Sequence, residues 1–325
     1  MSEKKLESDL KCIPIQKMVF EKTCGGAPVN AFDPRSEPGE NVREDGIVYV
    51  NDVCYGEKYP NSYLDIYYPN KDKMQKRPTV IFIHGGGFIF GDKVSGDPLA
   101  VKGGGDSGFY AEVAKRGYNV ISPNYALAPE YRFPAQLDQL DQMLKYLTEN
   151  QEKYGLDMEN VFLGGSSAGA NFSEIYGAML VNPVYAEKIG VIPSIQKEQI
   201  IGLLIDEAAL SARNFEENMD AMFGCWIGED HPSEKEEIIN LIDATRWIGE
   251  FYIPSFITSS NLEIWFQDSA EDLAAVLKKN GIEYEYFYRG QECDKLEHGY
   301  MKRFESNEYA RECFEHMLRF MEKQR

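Results

Sequence analysis

Two glycine-rich corners of this 325-residue chain carry residue types suited to acyl transfer. The first, Gly165-Ser166-Ser167-Ala168-Gly169 within VFLGGSSAGANF, fits the pattern G-x-S-x-G with Ser167 at its centre. A strand is predicted before it and a helix after it, the setting in which a sharp turn lifts a serine above the edge of a sheet. Small neighbours are what such a turn requires, because a strained backbone leaves little room beside it. The second corner, His84-Gly85-Gly86-Gly87 in IFIHGGGFIFG, also follows a predicted strand. The N–H groups of such a loop, joined by that of the residue after the nucleophile, can hold the oxyanion of a tetrahedral intermediate. It lacks the Lys-Ser/Thr that would follow in a phosphate-binding P-loop. GGGDSG at 103–108 fits G-x-G-x-x-G in form, but polar residues precede it and it reads as a surface loop.

A serine nucleophile needs a base, and there are four histidines to choose from. His84 belongs to the glycine loop, His231 to an acidic insertion and His316 to an amphipathic helix, which leaves His298 in LEHGYM. Its place after the last predicted strand suits the chain order nucleophile, acid, base. The acid should follow the strand IPSFITSSN, which offers Glu263 and Asp268; Asp206, after the preceding strand, is an outsider. Asp268 also reads as the start of a helix, where an aspartate commonly caps.

Positioning these groups takes alternating strands and helices. TVIFI (79–83), YNVIS (118–122), NVFLGG (160–165), IIGLLI (200–205), IPSFITS (253–259) and YEYFY (284–288) read as buried strands. Helices are expected after Pro134 and near Phe109, Ala168, Asp268 and Asn307. That alternation predicts an α/β fold, a mostly parallel sheet flanked by helices, with GIVYVNDV and SYLDIYYP as its antiparallel start. Two stretches stand apart: residues 1–45, polar and loop-rich, and an insertion at about 208–250. In the latter Phe215, Met219, Met222, Phe223 and Trp226 share one helical face. That face suits packing against the sheet or a cap over an acyl pocket.

Composition narrows the partners. A net charge of −19 argues against nucleic acid and anionic membrane surfaces. No apolar run is long enough to span a bilayer, and MSEKKLESDLKC lacks the apolar core of a signal peptide, so a cytoplasmic location is the expectation. The six scattered cysteines read as free thiols, and neither they nor the histidines have metal-ligand spacing. Neither a metal nor another cofactor is expected, and oligomeric state is left open.

From about Tyr63 onward LDIYYP, HGGGF, NYALAPEYRFPAQLDQ, GGSSAGAN and EHGY occur in one order. In this the chain resembles the α/β-hydrolase fold and, within it, the hormone-sensitive-lipase-like esterases. The resemblance implies Ser167 as nucleophile, His298 as base and an oxyanion hole from the amides of Gly85, Gly86 and Ala168. It further implies a cap made of residues 1–45 and 208–250 on a hydrolase domain spanning 46–325. Ser166, Ala170 and Ala126 depart from the residues usual in that family. Matched without gaps, Glu263 falls in the slot of the acid, while a small insertion would move the role to Asp268. The implied activity is hydrolysis of short-chain acyl esters through an acyl-enzyme. A non-catalytic binding module of the same fold, or an amidase or peptidase using the same triad, are the alternatives.

Overall fold

The computed structural model describes residues 5–23, 28–32, 34, 38–98, 106–208, 217–262, 264–290 and 295–325. Among the described residues nine strands form one sheet in the order β1-β2-β3-β5-β4-β6-β7-β8-β9. They are β1 (Gly39–Val42), β2 (Val48–Cys54), β3 (Tyr63–Tyr68), β4 (Pro78–Ile83), β5 (Asn119–Pro123), β6 (Asp157–Ser166), β7 (Ile200–Asp206), β8 (Ser255–Thr258) and β9 (Tyr284–Phe287). The first three run antiparallel, and β5, β4, β6, β7, β8 and β9 are mutually parallel. All six strands expected from the sequence are present, as is the antiparallel start, but β9 is an edge strand on which only Phe287 is buried, not the buried strand expected; β1 is an addition at the opposite edge.

The β4 strand shows why both faces are covered. Val80 and Phe82 point into one core, shared with Phe109 and Val113 of α2 (Asp106–Lys115) and with Phe314 and Met317 of α10 (Glu308–Gln324). Ile81 and Ile83 point into the other, with Leu137 and Leu144 of α3 (Ala135–Glu149) and Ile175 of α5 (Ala168–Val181). Strands buried on both faces are continuous apolar runs, and these sequences are. The helix expected after Pro134 is α3; the short helices α4 (Gln151–Tyr154), α6 (Pro183–Ile189) and α8 (Glu236–Ile242) complete the set among the described residues, and Asn307 caps α10, its side chain accepting from the Ala310 amide. The helix expected near Asp268 begins earlier, as α9 (Ile264–Lys279), so Asp268 lies inside it and not at its cap.

Residues 1–45 correct the sequence reading more substantially. They include a 17-residue helix, α1 (Glu7–Thr23), despite Pro14 in its middle. Its weak amphipathic pattern hid it, since its order comes from tertiary contacts: Cys12 and Phe20 are buried, and the Gln16 amide donates to the carbonyls of Ile89 and Ala128. Helix α1 packs on α7 (Glu217–Ile227) of the insertion. On the face expected there, Phe223 and Trp226 are fully buried while Met219 and Met222 are half-buried; Phe215 lies outside the described residues.

Trp226 is the keystone of that packing. Its indole stacks on Phe88 at 4.1 Å and 3°, meets Phe172 of α5 edge-on, and donates from Nε1 to Gln136 Oε1 at 3.0 Å. Trp226→Ala should therefore lower the unfolding free energy by about 3–5 kcal/mol, read by chemical denaturation. A loss below about 1 kcal/mol would show that α7 is not part of the cooperative core.

Candidate active site

Strand β6 ends at Ser166, paired in register with Asp206 of β7, and α5 begins at Ala168. Ser167 is the single residue between them. Its φ of 53° and ψ of −116° lie outside the regions open to an ordinary L-residue without cost. The strain is sustained because the turn is held at both ends: the Ser167 amide donates to the Asp206 carbonyl at 2.8 Å, and its carbonyl accepts from the Asn171 amide at 3.0 Å. Ser166 is fully buried, and Ser167 retains 8% exposure, so the corner presents one serine and not two.

The glycines of the pentad are set by close approach. A methyl group on Gly169 would lie 2.1 Å from the Ile83 carbonyl oxygen and 2.8 Å from that of His84. A methyl on Gly165 would meet the Gly169 carbonyl carbon at 2.5 Å. The elbow is thus pressed against the strand end from which the His84-Gly87 loop departs. That loop turns at Gly86, whose φ of +115° favours glycine and whose carbonyl accepts from the Ile89 and Phe90 amides.

The NYALAPEYRFPAQLDQ segment supports the loop from below. Tyr125 donates its hydroxyl to the carbonyls of His84 and Gly85, both at 3.2 Å, and its ring stacks on the His84 imidazole at 4.3 Å. Gln139 and Gln136 of α3 hold the Ala126 amide and carbonyl, each at 2.8 Å. Burial depresses the His84 pKa, so this imidazole is a neutral part of the scaffold. His231 is exposed on the insertion, beside Asp220, and His316 lies on α10 against Glu285.

His298 is buried at the same end of the sheet. Its Nδ1 forms an ion pair with Glu207, and the same carboxylate oxygen accepts from the Gly299 amide at 2.7 Å. Glu207 directly follows β7, and its amide donates to Thr258 at the end of β8. One dipeptide therefore reaches both partners: the Asp206 carbonyl holds Ser167, and the Glu207 side chain holds His298. The imidazole also stacks on Phe266 of α9 at 4.4 Å and 2°, and its Nε2 lies 3.2 Å from Asp97 Oδ2. Burial alone would depress the ring, but Glu207 and Asp97 outweigh it and raise its pKa to about 10. Burial and then the charge of Glu207 push the Asp206 carboxyl up to about 7, opposed by Lys302.

Among the residues singled out from the sequence, Ser167, Ala168, Gly85, Gly86 and His298 lie at the same end of the sheet. Glu263 lies outside the described residues. Asp268 is buried on α9, two residues past the Phe266 ring that faces the imidazole. The carboxylate at Nδ1 belongs to Glu207, one position beyond the outsider Asp206, and the sequence reading gave Glu207 no part. Its signal was available in the end of the run IIGLLIDE, where two carboxylates follow a buried strand. Asp97, ten residues beyond the glycine loop, carried no sequence signal at all.

Residues 64–263, well over half of the chain, match the BD-FAE family. An alpha/beta hydrolase of Acanthamoeba polyphaga mimivirus is 29% identical over 82% of this chain and 72% of its own. The carboxylesterase NlhH of Mycobacterium tuberculosis is 31% identical over 44% of this chain and 40% of its own, so the chain spans less than half of that relative's length. The crystal structure of esterase B from Lactobacillus rhamnosis superposes with a TM-score of 0.74 at 18% identity, covering 98% of this chain and 96% of that one. With the sheet order, the elbow and the glycine loop in hand, these matches establish that the chain belongs to the BD-FAE family and has the α/β-hydrolase fold of the hormone-sensitive-lipase-like esterases.

Proposed function

We propose that the protein is a carboxylic ester hydrolase that acts on short-chain acyl esters through an acyl-enzyme. The carrying observation is the Asp206-Glu207 link between the strained serine and the buried imidazole. Ser167 Oγ attacks the ester carbonyl carbon while His298 Nε2 takes its proton. The oxyanion is received by the amides of Gly85, Gly86 and Ala168. Collapse of the intermediate breaks the C–O bond to the alcohol, which leaves with the proton from the imidazolium. Water, deprotonated by the same nitrogen, then attacks the acyl-enzyme and frees Ser167 and the acid. Throughout, Glu207 keeps the ring oriented and stabilises its charged form, the role of the acid in a Ser-His-acid triad.

Helices α1 and α7 serve as the cap over this centre. The Met222 sulfur stands 2.6 Å from where a methyl on Gly87 would be, so α7 rests on the glycine loop itself, which supports this reading. Among the described residues no helix is long and apolar enough to cross a membrane. The free thiols of Cys12, Cys225 and Cys313, all buried, suit a reducing, cytoplasmic setting. The partner in this reading is a small-molecule ester, with no cofactor.

Three outcomes test the proposal with p-nitrophenyl esters. Ser167→Ala should lower kcat by about 10⁴-fold or more, and a rate equal to wild type would sink the hydrolase reading. Glu207→Gln should lower kcat by about 10⁴-fold with KM little changed, while Glu263→Gln stays within about 10-fold of wild type; the reverse result would return the acid to residue 263. Finally, kcat/KM should be highest for acetate or butyrate and fall by about 10-fold or more at decanoate, measured below the micellar range. A decanoate preference would reject the short acyl site.

A further inference from the structure

The imidazole of His298 has a carboxylate on each nitrogen, Glu207 at Nδ1 and Asp97 at Nε2. Nε2 is hydrogen-bonded to Asp97 at 3.2 Å and Nδ1 is ion-paired with Glu207, and a ring with a carboxylate at each nitrogen is best matched by the imidazolium, the form that carries an N–H on both. That form cannot serve as a base. The nitrogen occupied by Asp97 is also the one that would have to take the Ser167 proton.

We propose that Asp97 is a positioning residue for the general base. In the resting enzyme its carboxylate holds Nε2–H of His298, and the catalytic cycle starts when that hydrogen bond is given up and Nε2 is freed for Ser167. The inference rests on the proposed hydrolase reading and adds to it a residue that the triad does not contain.

The surroundings of Asp97 fit this role. Its side chain is fully buried and lies against the glycine loop: a methyl on Gly85 would sit 2.5 Å from Oδ2 and 2.9 Å from Cβ. The carboxylate is therefore wedged between the base and a loop that is to receive the oxyanion. It is carried by the same segment, since the chain runs from Gly87 through Lys93 to Asp97. That segment is anchored at Lys93, whose ammonium pairs with Asp65 at 2.6 Å and Asp52 at 2.8 Å, and whose amide donates to Asn124 Oδ1. Movement of the loop on binding an ester would thus be felt directly at Nε2.

The charged groups around the ring come from each element packed on it. The end of β7 supplies Asp206 and Glu207, and the loop after β4 supplies Asp97. Asp106 of α2 pairs with Lys302 at 2.6 Å, which also faces Asp206 and Asp97. On the remaining side α9 presents the Phe266 ring, with Asp268 buried two residues on. Among the described residues these carboxylates outnumber the Lys302 ammonium, so the field favours the imidazolium, and Asp97 is the contributor placed on the reacting nitrogen.

The test is the pH dependence of kcat/KM for p-nitrophenyl acetate between pH 5.5 and 10 in wild type and Asp97→Asn. Activity requires the deprotonated ring, so it rises with pH through the His298 pKa. The wild-type rise should lie well above the ordinary imidazole value of about 6.5. Removing one negative charge at hydrogen-bond distance should move it to lower pH by about one unit or more. The fraction of active base at pH 6.5 would then grow by about 10-fold. An unshifted rise in a variant with wild-type thermal stability overturns the proposal. A second readout needs neither the variant nor activity: ¹⁵N-histidine spectra of Ser167→Ala should show His298 as an imidazolium at pH 8, and a neutral ring there overturns the proposal as well. If Ser167→Ala hydrolyses esters like wild type, the hydrolase reading fails instead, and the spectra still report on Asp97.

Discussion

The site depends on a two-residue span at the end of β7. The Asp206 carbonyl accepts from the Ser167 amide, and the Glu207 carboxylate takes the His298 Nδ1, so the serine and the histidine are referred to one rigid strand end. A strained serine and a histidine 131 residues further along the sequence would otherwise have to find each other through loops alone. Fixing both to adjacent residues of a central strand removes that search, because β7 lies between β6 and β8 with both faces buried. Preorganisation of this kind is what allows a hydroxyl and an imidazole to react at useful rates, since misplacement by about 1 Å can cost on the order of 10²-fold.

The same span concentrates charge. Asp97, Asp106, Asp206, Glu207, His298 and Lys302 are all buried, with two groups able to be cationic against four carboxylates. Taking an ion out of water costs several kcal/mol, offset only by close pairing and hydrogen bonds. Lys302 answers Asp106, and the imidazolium answers Glu207 and Asp97, which leaves Asp206 as the carboxylate without a dedicated counter-charge. Its pKa near 7 follows, and the protein uses that residue through its backbone carbonyl, whose hydrogen bond to Ser167 is indifferent to the protonation of the side chain. A residue whose side chain is poorly suited to its place thus does its work through the main chain.

How much of this was legible in the sequence depends on what kind of signal each part leaves. The buried parallel strands were readable because burial on both faces demands unbroken apolar runs, as PTVIFI and IIGLLID provide. The elbow and glycine loop were readable because backbone approach excludes side chains: Gly169 must clear the Ile83 carbonyl, and no other residue can. Helix α1 was not, because its order comes from Gln16 and Cys12 meeting partners more than seventy residues away and not from its own periodicity. The carboxylate at Nδ1 was not legible for a related reason. A carboxylate needs only to reach Nδ1, and two neighbouring strand ends can deliver one there, so sequence order narrows the choice without making it. In this chain the end of β8 leads into α9, whose Phe266 covers the flat face of the ring, while the end of β7 supplies the charge.

The seating of α1 and α7 follows from the same kind of contact. Phe88, with φ of 69°, leaves the glycine loop pointing into a cluster formed by Trp226 and Phe223 of α7 and Phe172 of α5. Gln16 of α1 donates to Ile89, the next residue, and Met222 rests on Gly87, the one before. Three consecutive residues of the loop therefore each bear on α1 or α7, while Gly85 bears on Asp97 and so on His298. A loop gripped in this way cannot shift at one point alone. The packing of α1 and α7 and the surroundings of His298 are thus two ends of one mechanical element, joined through the backbone of residues 85–89.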